Sequence, residues 1–78
     1  MNKQRRKDID AIIERLESIR EEIITVRDEE QDYLDNIPKN LQNSERYEIA
    51  DNAVRELDDA EASLDDIIEH LTSARDGW

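Results

Sequence analysis

Two long apolar stripes, one on either side of a single proline, constrain this chain more than any other feature. The first runs Ile9, Ile12, Leu16, Ile19, Ile23, Val26, Glu30, Tyr33, Ile37, in alternating steps of three and four. That spacing fills the a and d positions of consecutive heptads, broken only by Glu30. The second runs Ala50, Ala53, Leu57, Ala60, Leu64, Ile67, Leu71, Ala74, Trp78 on the same alternation. No strand-like alternation competes with either stripe, and neither contains an internal Pro or Gly. Each predicts a long helix, about 45 Å at 1.5 Å per residue.

Punctuation between and after the stripes sets the boundaries. Pro38 lacks an N–H and biases Ile37 out of the helical region, so the first helix stops near Asp35. Ser44 or Asn43 suits the N-cap of the second, with Glu45 and Glu48 favouring its positive end. Gly77, after Arg75, suits a C-terminal cap. The reading is one domain over residues 1–78, with helices at about 4–35 and 44–76 and a connection over 36–43. So short a connection makes the helices antiparallel neighbours. The fold class is all-α, a coiled-coil-like helical hairpin.

The second stripe is rich in alanine where the first has large side chains, which permits close interdigitation. One register sets Ile9 near Ala74, Leu16 near Ile67, Ile23 near Ala60 and Glu30 near Ala53. It also pairs the flanking e positions: Ile13 with Ile68, Arg20 with Glu61, Arg27 with Val54, Leu34 with Tyr47. A 78-residue chain rarely builds a core worth more than ~3–5 kcal/mol alone. Ile13, Leu34, Tyr47, Val54 and Ile68 widen the apolar stripe beyond one two-helix seam, and Ile24 and Ile49 extend it. With Trp78 as a terminal anchor, these residues are the expected oligomer interface of a symmetric dimer closing a four-helix bundle.

Charge narrows the partners. The net charge is −11, and each helical half carries −8 behind a +4 leader of Lys3, Arg5, Arg6 and Lys7. Positive charge opposes the dipole at a helix start, so residues 1–6 are expected to fray. The leader runs into Asp8-Ile9-Asp10 with no apolar stretch behind it, unlike a signal peptide. No window approaches the roughly 18 apolar residues of a membrane span. An acidic body is repelled by lipid and nucleic-acid phosphates. Cysteine is absent, which removes disulfides, thiolate nucleophiles and cysteine metal sites. The expectation is a cytoplasmic protein without direct nucleic-acid or membrane binding.

Candidate chemistry is thin. Asp66 and His70 share a helical face, as do Asp65 and Glu69, but the sole histidine lacks the Glu-x-x-His partner of bundle metal sites because position 67 is Ile. The run Asp28-Glu29-Glu30-Gln31-Asp32 lacks the glycine and spacing of a calcium loop. Ile9-Asp10-x-Ile12-Ile13 with Leu16 and Arg20 faintly resembles the first helix of all-helical chorismate mutases, whose dianionic substrate suits this acidic chain poorly. Glu21-Glu22 or Glu29-Glu30 with Glu56-x-x-Asp59 resembles part of the magnesium site of helical nucleotide pyrophosphohydrolases. The third glutamate expected after the pair is replaced by Thr25 or Tyr33. The serines have no nearby base, and no glycine-rich loop exists to hold phosphate. No enzyme, metal or cofactor is expected.

Rows of acid point instead to a partner. Asp51, Asp58, Asp65 and Glu69 lie roughly on one line along the second helix, and Asp59 and Asp66 on its neighbour. Such rows on a stiff rod approximate a nucleic-acid backbone, and Asp58, Asp59, Glu61, Asp65 and Asp66 are the expected contact patch for a basic surface. The segment RDEEQDYLDNIPKNLQNSERY, from Arg27 to Tyr47, resembles small acidic hairpin proteins of tailed bacteriophages, prophages and mobile elements. The resemblance rests on the acid run, Tyr33, the Asn36-Ile37-Pro38 turn and the Leu41-Gln42-x-Ser44 opening of the second helix. It implies a phage or mobile-element origin, in a group without assigned activity; the expected role, binding a protein of the bacterial host as inhibitor or modulator, rests on the acidic faces. Self-association in an assembly role, through the apolar band, is the alternative.

Overall fold

A computed structural model describes residues 2–77. Helix α1 spans Lys3–Asp35 and helix α2 spans Glu45–Asp76, joined by a turn containing one 3-10 turn at Lys39–Leu41. The two helices pack side by side and antiparallel into a rod of 59 × 16 × 12 Å. Its radius of gyration is 17.7 Å, against about 11.5 Å for a compact chain of this length.

Local chemistry accounts for the ends. At α1 the Asn2 side chain accepts a hydrogen bond from the Arg5 N–H at 2.8 Å, and Gln4 Nε2 donates to Asp8 at 3.0 Å. Residues 3–6, expected to fray, are placed in the first turns of α1. The cap satisfies an otherwise orphaned donor, and Arg6 faces the carboxylate of Asp76 across the hairpin. At the other end, the Asn36 backbone N–H and side-chain amide both donate to the Asp32 carbonyl. Pro38 follows in an extended conformation and ends the helix. The Ser44 hydroxyl accepts from the Tyr47 N–H at 3.3 Å to open α2. Gly77 occupies the C-cap, where an added Cβ would lie 2.6 Å from the Ser73 carbonyl oxygen.

The seam contains Ile13, Leu34, Ala50, Val54 and Leu64 as buried residues, with Ile37 beneath the turn. Leu34, Ile37, Ala50 and Val54 form one cluster at the turn end, with Tyr47 packed against it. The middle is looser, with Leu16, Ile23 and Leu57 half-buried. Arg20 contacts both Glu61 and Asp65, which agrees with the expected register. What differs is rotation about the helix axes. The buried rows are a and e, whereas the d residues Ile19, Val26, Tyr33 and Ile67 face outward. Ile13, Leu34 and Val54, expected at an oligomer interface, are instead buried inside the hairpin. Tyr47, Ile68 and Ile24 are half-buried, Ile49 is exposed, and Trp78 lies outside the described residues.

The e positions combine apolar residues, among them Ile13, Leu34 and Val54, with the arginines Arg20, Arg27 and Arg75. Turning e inward buries Leu34 and Val54 and lets the Arg20 and Arg27 stems lie along the seam while their heads reach acids on α2.

Candidate functional site

Successive residues turn by about 100°, so e and b lie to one side of the a row and d lies to the other. In an antiparallel pair, like positions of the two helices share a side. The hairpin therefore has two broad faces of different chemistry.

One face is zipped by a ladder of ion pairs. Arg27 Nη1 donates to Asp58 Oδ1 at 2.8 Å, Arg20 Nε donates to Asp65 Oδ1 at 2.6 Å, and Arg75 Nη1 donates to Asp10 Oδ1 at 2.7 Å. From the first rung to the second, α1 steps back seven residues and α2 advances seven, as a heptad register requires. Glu61 adds a contact to Arg20 at 3.6 Å. On α2, Arg55 pairs with Asp51 one turn away at 3.2 Å. At the open end Arg75 also donates to Asp76 at 2.9 Å. That hydrogen bond holds the Asp76 carboxyl below its ordinary value, and the bonds to Asp76 and then Asp10 push the Arg75 guanidinium up.

The expected acidic patch divides on this ladder. Asp58, Glu61 and Asp65 are engaged by arginines of α1. Asp59 and Asp66 are exposed and take part in no ion pair among the described residues. The row imagined as a phosphate-like line is thus partly neutralised from within. The rung acids keep about half of their side-chain surface, 49% for Asp58 and 51% for Asp65.

The opposite face is apolar and open. Ile19, Val26 and Tyr33 of α1 are 44%, 51% and 45% exposed, and Ile67 of α2 is 48% exposed. Ala60 and Ala74 are exposed on the same face, and Ala53 is half-covered. Near the turn, Tyr33 borders a shallow groove with Glu30, Arg46, Ile49 and Ala50. Leu41 is exposed beside it, so the apolar end-cap is formed by Leu34, Ile37 and Tyr47 without full cover from Tyr33.

Sequence reasoning named the apolar excess but assigned it to the e row. The signal for the alternative is the ladder itself, since Arg20 with Asp65 and Arg27 with Asp58 repeat at one register. Among the described residues no three Asp, Glu or His side chains converge to hold a metal ion, and Asp66 and His70 are both exposed. No described helix is long and apolar enough to cross a membrane. Compared with known proteins, the chain matches no family model, no curated protein and no solved structure.

Proposed function

We propose that this hairpin is a non-enzymatic protein-binding module that works as a homodimer, with acidic outer rows offered to a basic surface of another protein in the bacterial cytoplasm. In its concrete form it is a phage or mobile-element protein that inhibits or modulates a host protein. One observation carries the reading. Arg20, Arg27, Arg55 and Arg75 are turned onto the hairpin's own acids, so the acid left outside them faces solvent on a stiff rod. Asp59 and Asp66 lie at the centre of that surplus. Charge so concentrated steers a basic partner and is screened by salt.

The test is capture of partners from bacterial lysate on the tagged chain, alongside the Asp59→Asn/Asp66→Asn variant. A specific protein released at moderate salt and weakened by the double variant is the expected result. Competition by DNA for that protein would extend the reading to nucleic-acid mimicry. A partner held equally well by both chains at high salt would sink it. The open apolar face favours the second reading, a self-assembling structural module, which predicts salt-resistant association of copies and no other partner.

A further inference from the structure

We propose that a second copy of this chain covers the open face, related by a two-fold axis parallel to the rod, so that α1 of each copy lies across α2 of the other. The inference rests on the dimeric part of the reading above and adds the face, the residues and the orientation.

Area supports the occupant. The chain exposes 5950 Å², about 1,000 Å² more than a compact protein of 9.2 kDa would. The broad face measures 59 × 16 Å, roughly 900 Å² and close to the ~800 Å² per partner of a stable interface. Its apolar residues run from Ile12 near the open end to Tyr33 and Ile49 at the turn, along the rod rather than in one spot. A copy of the same rod matches that length without overhang.

Side-chain size selects the orientation. On this face α1 presents Ile12, Ile19, Val26 and Tyr33, all large, whereas α2 presents Ala53, Ala60, Ile67 and Ala74, mostly small. Within one hairpin Leu16 stands level with Ile67 and Ile23 with Ala60, the register that Arg20 with Glu61 and Asp65 reports. Ile19 is therefore level with the gap between Ile67 and Ala60, and Val26 with the gap between Ala60 and Ala53. A two-fold parallel to the rod preserves those levels. It seats Ile19 of one copy between Ala60 and Ile67 of the other, and Val26 between Ala53 and Ala60. The perpendicular two-fold would stack α1 on α1, large against large, and α2 on α2, leaving an alanine-lined gap. Only the parallel two-fold puts large residues over small along the whole face, and every helix contact in the resulting four-helix bundle is then antiparallel. Both copies carry −11, so their association strengthens as salt rises, opposite to the binding of a basic partner.

Cysteine is absent from the chain, so Asn40→Cys places one spin label per copy in the turn. In the dimer the two turns share an end, and the label-to-label distance is expected within about 30 Å, three helix spacings of 8–10 Å. Sedimentation equilibrium should give about 18 kDa, twice 9.2 kDa, with tighter association at higher salt. Ala60→Glu, outside the seam and compatible with a helix, should weaken the dimer at least about tenfold with helix content retained. Ile19→Asp is a second variant with the same expected readout. A monomer at 100 µM, or a label distance approaching the 59 Å rod length, would overturn the proposal. A monomer that still binds a basic protein would refute the dimer and leave the binding module standing. A dimer with no such partner would do the reverse.

Discussion

The two broad faces of the hairpin are made from the same heptads yet solve different problems. On one, Arg20, Arg27 and Arg75 cross to Asp65, Asp58 and Asp10 and tie the helices together. On the other, Ile19, Val26, Tyr33 and Ile67 stay about half-exposed, and nothing among the described residues covers them further. The ion pairs follow one register and one rotation of the helices, and hydrophobic burial supplies the bulk of the stability. The residues left over after both needs are met are the ones available for association.

The largest contrast lies between the seam and the exposed rows beside it. Leu34→Ala removes a buried side chain from the turn cluster and should cost about 2–5 kcal/mol, enough to bring a small hairpin near unfolding. Ile49→Ala, at a position 63% exposed in the single hairpin, should change stability by no more than about 0.5 kcal/mol at concentrations too dilute for two copies to associate. Urea denaturation at one fixed protein concentration compares them. Equal effects would mean that the apolar rows are not divided as described.

How much of this was legible beforehand follows from the range of the interactions. Pro38 and Ser44 act on their immediate neighbours, so the ends of both helices near the turn fall within a residue of expectation. Register is a property of the whole repeat, and Arg20 with Glu61 was enough to place it. Rotation is different, because a and d seams and a and e seams differ by less than one residue's turn, and both bury the a row. The choice depends on whether Arg20 and Arg27 find carboxylates on α2, information held more than thirty residues away. That one ambiguity moved Ile13, Leu34 and Val54 from the supposed interface into the core. At the leader, the Asn2 cap is a local signal for a helix start at residue 3. In the acidic patch, Asp58 and Asp65 differ from Asp59 and Asp66 by one position each, and only the rotation decides which pair meets an arginine.

A middle-sized effect sharpens the account of the zipped face. A double-mutant cycle on Arg20→Gln and Asp65→Asn should give a coupling of about 0.5–1 kcal/mol at low salt, shrinking as salt is added. Both groups remain partly solvated, which keeps the figure small. Zero coupling would leave the rotation without its electrostatic cause, and the e residues would then be held inward by packing alone.

The smallest effect concerns the end of the ladder, where Arg75 serves two carboxylates at once. Its hydrogen bond keeps the folded-state pKa of Asp76 below the usual 3.8. A depressed carboxylate pKa adds stability above the unfolded value, and that stability is lost as pH falls through the folded value. The stability difference between the parent chain and Asp76→Asn should therefore be constant from neutral pH down to about 5, then shrink as acid protonates Asp76 in both states. Arg75 keeps Asp10 as a partner in the variant, so the hairpin end stays closed, and the variant's curve lies below the parent's above about pH 5 and meets it in acid. Thermal melts by circular dichroism between pH 3 and 7 make the comparison. A difference that grows toward low pH would reverse the sign and show that Asp76 is held protonated rather than ionised. The rungs at Arg20 and Arg27 differ in kind, because their acids sit across the seam and bind one helix to the other. Asp76 lies beside Arg75 on the same helix, so losing it slackens a terminus and leaves the two-helix contact in place.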